Sequence, residues 1–145
     1  MTWFNKPASL VDSRMAINAL LYIASENELD EMSSSVGSKG WKRFIEFWKK
    51  RNPDTTQAFN PVMAEYYRRV DEAMRKFSTD NIPDGYRTDR GRILILFGNP
   101  TKTERKFKPN TDPTEIWTYE HQHKRFLFTD PQHISNYTLK KTEDF

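Results

Sequence analysis

Cysteine is missing from the 145 residues, which excludes disulfides and thiolate chemistry while leaving the compartment open. No apolar run approaches the ~20 residues of a membrane-spanning helix, and mean hydropathy is -0.88. The opening Met1-Thr2-Trp3-Phe4-Asn5-Lys6-Pro7 leads into no apolar signal-peptide core. The chain is therefore expected to be cytoplasmic, or a piece lacking its targeting segment. Neither G-x-x-x-x-G-K-[ST] nor G-x-G-x-x-G occurs, and no serine stands in a nucleophile-elbow context. Gly98-Asn99-Pro100-Thr101-Lys102 lacks the glycine spacing of a phosphate loop, and Pro100 removes an N–H that such a loop uses.

What is present is aromatic and charged. Phe, Tyr and Trp make up 14% of the chain and charged residues 30%, so an aromatic core under a very polar surface is expected. The length suits one domain with a real core. The net charge of +3 is unevenly spread. Asp12, Glu26, Glu28, Asp30 and Glu31 face only Arg14 in the first segment, whereas Lys39 to Arg51 holds six basic residues against Glu46. This allows an anionic partner without demanding one.

Residues 1–11 read as an arm or linker, followed by one domain over 12–145. Its helical half covers 12–79 and its sheet half 84–140. Asp12 or Ser13 caps a helix to about Ala24, with Ile17, Leu20, Leu21 and Ala24 on one face. Ser25-Glu26-Asn27-Glu28 forms a capping box for a short helix through Met32, and 33–38 is a serine-rich loop. Trp41, Phe44, Ile45 and Trp48 make a core-facing stripe on a helix from Lys39 to Lys50. Asn60-Pro61 starts a helix to about Phe77, with Met63, Tyr66, Val70, Met74 and Phe77 inward, and with Glu65/Arg69 and Glu72/Lys76 pairs outside.

Ile93 to Phe97 carries no polar side chain and ends at Gly98-Asn99-Pro100, so it reads as a central strand buried on both faces. Thr101 to Pro113 reads as a basic, mobile loop. Glu115–Glu120, Arg125–Thr129 and Asn136–Lys140 alternate as strands, with Trp117 and Tyr119 on one face of the first. The expected fold is α+β: three to four N-terminal helices packed on a mainly antiparallel sheet of about four strands.

The chemistry concentrates just before the apolar run. Gly85 and Gly91 bracket a polar turn, where glycine enters positive φ without penalty, and Asp89 shapes Asp-Arg-Gly into a bend. Arg87, Arg90 and Arg92 with Asp84 and Asp89 make either an anion site or an Asp–Arg network that closes the end of the sheet. The network is the favoured reading. His121-x-His123, with Asp130 or His133, is a weak zinc pattern, and exposed histidines in a polar turn are the better reading. No catalytic residue, cofactor or metal is assigned.

Gly85-Tyr86-Arg87-Thr88-Asp89-Arg90-Gly91-Arg92, an apolar run and Gly98-Asn99-Pro100 together resemble the signature of the bacterial GWxTD-domain family. Phe47-Trp48 with Asn52-Pro53, Thr56 and Asn60, then Glu65-Tyr66 with Arg69-Val70, resemble its helical half. Glu115-Ile116-Trp117-Thr118-Tyr119 and Phe126-Leu127-Phe128-Thr129-Asp130 resemble its strands. The likeness runs from about Leu10 to the C-terminus, with Tyr86 where the signature has tryptophan.

This resemblance implies a domain of unknown function, in proteins that are usually longer and exported, and so a location in the cell envelope, periplasmic or extracellular. The expected role is a non-catalytic binding or structural module with a protein or cell-envelope partner. Its candidate residues are Gly85 through Arg92, Gly98, Pro100 and Trp117, with the basic segment after Gly98. Two rivals are binding of an anionic polymer (nucleic acid or acidic glycan) through the basic loop and the Lys39–Arg51 helix, and an enzyme using the Asp89/Arg turn.

Overall fold

Cap residues decide where the first helices begin. In the computed structural model, which describes residues 3–34, 38–54, 56 and 59–145, helix α1 (Ala8–Val11) lies inside the segment read as an arm. The Asp71 carboxylate accepts from the Ala8 and Ser9 amides at 2.8 and 2.9 Å. Asp12 caps α2 (Ser13–Asn18) by accepting from the Arg14 and Met15 amides, and a 3₁₀ turn, Ala19–Tyr22, follows. Ser25 and Glu28 exchange the two bonds of a capping box at the start of α3 (Glu26–Ser34). Residues 35–37 of the expected serine-rich loop lie outside the described residues.

Helix α4 (Ser38–Lys49) buries Gly40, Phe44, Phe47 and Trp48. Ile45, expected inward, is 45% exposed. The stripe is rotated because Phe47 brings more apolar surface to the core than Ile45 would, and the Arg51 guanidinium covers the Phe47 ring at 3.6 Å. Asn60 caps α5 (Pro61–Phe77), accepting from the Val62 and Met63 amides while donating to the Trp48 carbonyl. The residues buried on α5 are Tyr66, Tyr67, Val70, Ala73 and Phe77. Tyr66 and Tyr67 bury their rings and donate their hydroxyls to the Ala19 and Ala16 carbonyls, and burial pushes both phenol pKa values up.

On the outer face of α5, Glu65 accepts from Arg68 at 2.7 and 2.9 Å and from Arg69 at 2.9 Å. Arg68 first, then Arg69, hold its carboxyl down at about 2. Because that folded pKa lies below the ordinary carboxyl value of 4.5, the stabilisation is complete above about 4.5 and is lost as pH falls through about 2. Glu65→Gln is expected to cost about 0.5–1 kcal/mol at pH 6, the modest value of half-exposed pairs. In urea titrations the gap between variant and wild type should narrow below pH 4.5; a gap unchanged at pH 2.5 would contradict the assignment.

The chain divides into two compact units, Met1–Glu72 and Ala73–Phe145. In the second, a 3₁₀ turn (Gly85–Arg87) leads into helix α6 (Asp89–Phe97). The strands are β1 (Lys102–Lys106), β2 (Thr114–Tyr119), β3 (Lys124–Thr129) and β4 (Thr138–Asp144). They form one antiparallel meander in the order β1-β2-β3-β4. The class is α+β, N-terminal helices followed by a four-stranded antiparallel sheet packed against α6.

Two expectations are corrected here. Ile93 to Phe97 is helical, not a central strand. Thr88 caps that helix, Gly98 ends it at φ 79, and the partly solvated positions Asp89, Arg92 and Leu96 recur at helical spacing. The remaining face is buried, which removes the polar stripe that would have marked a helix. Lys102 to Lys106, expected in a mobile loop, is an edge strand. It has no apolar residue because an edge strand gains its place from backbone pairing and can stay solvated on both faces. Beneath α6, Phe97 packs on Tyr119 and Phe126, and Trp117 on Phe128, at centroid distances of 5.0–5.6 Å.

Candidate functional site

The turn before α6 is built by close backbone approach. Ser78 follows α5 and accepts the Gly85 amide on its hydroxyl at 3.0 Å. A Cβ on Gly85 would lie 2.5, 2.6 and 2.7 Å from Ser78 N, Ala73 O and Phe77 C. A Cβ on Gly91 would collide with the Gly85 carbonyl oxygen. Neither glycine has positive φ; among the described glycines only Gly98 does. The expected reason for Gly85 and Gly91, left-handed turn geometry, is therefore replaced by contact between α5, the 3₁₀ turn and α6.

Each remaining residue of the turn has an identifiable contact. Tyr86 is 3% exposed, and its hydroxyl accepts from Arg87 Nε at 3.0 Å. Thr88 Oγ1 donates to the Gly85 carbonyl and accepts the Gly91 amide, at 2.7 and 3.0 Å, which makes it the N-cap. Asp89 stands in the first turn of α6, where a carboxylate complements the helix dipole. Its Oδ2 accepts the Leu139 amide of β4 at 2.7 Å, beside the bulge where β3 and β4 change register. Arg92 lies 3.6 Å from its other oxygen. The Asp-Arg-Gly segment is thus the first turn of a helix and not the bend expected. Asp89→Ala should cost about 1–2 kcal/mol in thermal or urea unfolding, for one charge-assisted hydrogen bond and a dipole interaction. An unchanged melting temperature would count against this role.

Arg90 reaches a buried ion cluster. It is 8% exposed, lies over the Phe77 and Tyr137 rings at 4.6 and 4.5 Å and donates to the Ser135 carbonyl at 3.3 Å. Its partner is Glu115 of β2, 3.4 Å away and 2% exposed. Glu115 Oε1 accepts from Trp117 Nε1 at 2.6 Å, and Oε2 accepts from Arg105 Nε of β1 at 3.1 Å. Burial lowers the Arg90 pKa and Glu115 opposes that shift. The cluster thus joins α6, β1 and β2. Asp130, also buried, holds the following turn through the Ile134 and Ser135 amides.

Beside this cluster is a cleft of about 370 Å³, whose lining includes Phe77, Arg90, Pro100, Thr103, Arg105 and Glu115. The structure therefore brings Arg90, Pro100 and Trp117 of the expected set to the lining of one cleft. Gly85, Thr88 and Gly91 stay in the supporting turn, and Gly98 holds Tyr119 by accepting its hydroxyl at 2.8 Å. Arg87 and Arg92 pair locally with Asp84 and Asp89. Glu115 is not among the expected site residues, and Arg105 enters them only as part of the basic segment after Gly98. The signal was available for Glu115, since a carboxylate that alternates with Trp117 and Tyr119 on an inward face needs a buried partner. His121 and His123 are exposed in the β2–β3 turn, and among the described residues no group of three His, Cys, Asp or Glu could hold a metal.

The family model for the GWxTD domain matches residues 7–145. The chain belongs to the GWxTD-domain family. Comparisons with curated proteins and with solved structures find no match. In this GWxTD domain the signature letters acquire physical roles. The glycine admits α5, the aromatic at 86 fills the space beneath the turn, the threonine caps α6 and the aspartate ties α6 to β4. No helix among the described residues is long and apolar enough to cross a membrane.

Proposed function

We propose that this GWxTD domain is a non-catalytic binding module of an exported bacterial protein, working in the cell envelope, with its ligand site in the cleft between α6 and β1. One observation carries the reading. The one carboxylate that lines the cleft, Glu115, is engaged by donors of the domain itself, Trp117, Arg90 and Arg105, and Asp89 of the preceding turn is likewise held by Leu139 and Arg92. A general base waiting for a substrate proton would keep an oxygen directed at the cleft. Arg105, by contrast, leaves its side chain 63% exposed at the rim. The envelope location rests on the resemblance to exported proteins.

The test is a thermal-shift screen of small acids, peptides and glycans against the wild type and Arg105→Gln, followed by mass spectrometry of each hit. A ligand that raises Tm only in the wild type and is recovered unchanged supports the module. Conversion of that ligand to a product overturns it. Fractionation of the host bacterium, with the domain found in the cytosol, would overturn the location. The polymer-binding rival draws on the basic segment, with Lys102, Lys106 and Lys108 along and beyond β1, and on the Lys39–Arg51 helix, and requires affinity that falls steeply with salt.

A further inference from the structure

We propose that β1 is a docking edge for an extended, acidic segment of a partner protein, which adds to the sheet as a fifth strand and places one carboxylate over Arg105. The inference rests on the reading of the cleft as a binding site and names its ligand class.

The backbone is the first argument. β1 is an end strand of the meander, paired with β2 and with no other strand among the described residues. In an antiparallel edge strand, alternate N–H and C=O groups point away from the sheet and can template another strand.

The side chains on the cleft face of β1 supply the second. Register sets Thr103 opposite Trp117 and Arg105 opposite Glu115, so Thr103 and Arg105 share one face, and Phe107, one residue past the end of the strand, is next in the two-residue period. Thr103 and Arg105 line the 370 Å³ cleft. Phe107 is 68% exposed and lines a second hollow of about 440 Å³ with Pro109, Pro113 and Tyr137. A strand added alongside would carry side chains at the same two-residue period over this row. Its middle position meets a guanidinium, and its neighbour two residues away meets an exposed phenylalanine.

Charge decides what the added strand must be. Lys76, Arg90 and Arg105 line the cleft against the single carboxylate Glu115. On the opposite face Lys102 and Lys106 accompany Glu104. Lysines on an edge discourage a second copy of the same strand, and the same charges favour an acidic partner. Glu115 holds Arg105 through Nε alone, which fixes the direction of the guanidinium while leaving it exposed. The occupant is therefore a peptide with an aspartate or glutamate flanked, two residues away, by an apolar or aromatic side chain.

The probe is a fluorescein-labelled synthetic peptide, Gly-Thr-Phe-Thr-Glu-Thr-Phe-Thr-Gly, which presents the same pattern in either direction, titrated by anisotropy against the full 145-residue chain. Saturable binding is expected. Changing the central glutamate to glutamine should weaken it about tenfold, and Arg105→Gln should do the same. The two changes combined should cost scarcely more than either alone, because they remove one shared contact. Phe107→Ser, at an exposed position, should weaken binding about threefold. N-methylation of alternate peptide amides should abolish binding in one frame and spare it in the other, as strand addition requires.

Equal affinity of both N-methylated frames would overturn strand addition while leaving the cleft as a binding site. A labelled oligothymidylate that competes for the same surface with greater affinity would overturn the peptide assignment in favour of the polymer rival. A concentration-dependent dimer in sedimentation, dispersed by Phe107→Ser, would give the edge to a second copy instead. Absence of peptide binding, with a ligand found in the thermal-shift screen, would end this inference and keep the module.

Discussion

Glu115→Ala is expected to lower the unfolding free energy by about 3–5 kcal/mol, the range for removing one member of a buried ion pair. Three donors converge on this carboxylate, from Trp117, Arg90 and Arg105. Truncation leaves Arg90, which is nearly sealed from water, with the Ser135 carbonyl and two aromatic faces in place of a counter-charge. It also leaves the Trp117 indole N–H without its acceptor. Arg105 is mostly exposed and recovers solvation, so the cost comes chiefly from Arg90 and Trp117.

Two controls separate the causes. Glu115→Gln keeps an acceptor for Trp117 but removes the charge, so it should fall between wild type and Glu115→Ala. The double replacement Arg90→Met with Glu115→Leu should cost less than Glu115→Ala alone, because it leaves no isolated buried charge. Urea titration followed by far-ultraviolet circular dichroism reads all three. A loss below about 1 kcal/mol for Glu115→Ala would show that the cluster is solvated and not a fastener.

Gly91→Ala is expected to destabilise the domain by about 2–3 kcal/mol, against the direction of helix propensity. Alanine is favoured over glycine inside a helix by about 1 kcal/mol, and Gly91 stands inside α6. Its missing side chain is where the 3₁₀ turn passes, however, with the Gly85 carbonyl and the Tyr86 backbone in the way. Backbone cannot yield as a flexible side chain would, so the overpacking cost passes the usual range and reaches about 3–4 kcal/mol, which exceeds the propensity gain. Gly85→Ala should behave alike, because its added carbon would press on the end of α5 at Ser78, Ala73 and Phe77. A rise in melting temperature for Gly91→Ala would mean that α6 and the turn can separate at little cost.

Legibility in the sequence followed the range of the interactions. The starts of α3 and α5 were readable because Ser25, Glu28 and Asn60 act on amides two or three residues away. β2 and β3 were readable because alternation along a half-buried strand is a local pattern. The run from Ile93 to Phe97 misled because five apolar residues show no period when nearly every face is covered. The caps Thr88 and Gly98 are visible in the sequence, but beside an unbroken apolar run they fit turns around a strand equally well.

At the candidate site the turn was visible and its partners were not. Arg90 and Asp89 stand out in the sequence, yet Glu115 is 25 residues beyond Arg90 and Leu139 is 50 beyond Asp89. Nothing local pairs a guanidinium with one carboxylate among many at such separations. β1 was hidden for a related reason: its five residues are polar and charged, and only pairing with β2 makes them a strand.

Residue type and short spacing were enough for the family, the α+β class, the caps that open α3 and α5, and the aromatic content of the core. Tertiary structure alone decided that the apolar run is a helix, that two glycines are there for contact and not for dihedral angle, and that Arg90, Arg105 and Trp117 converge on Glu115. Those outcomes depend on which distant surfaces meet and how completely they exclude water, and no window along the chain contains that information.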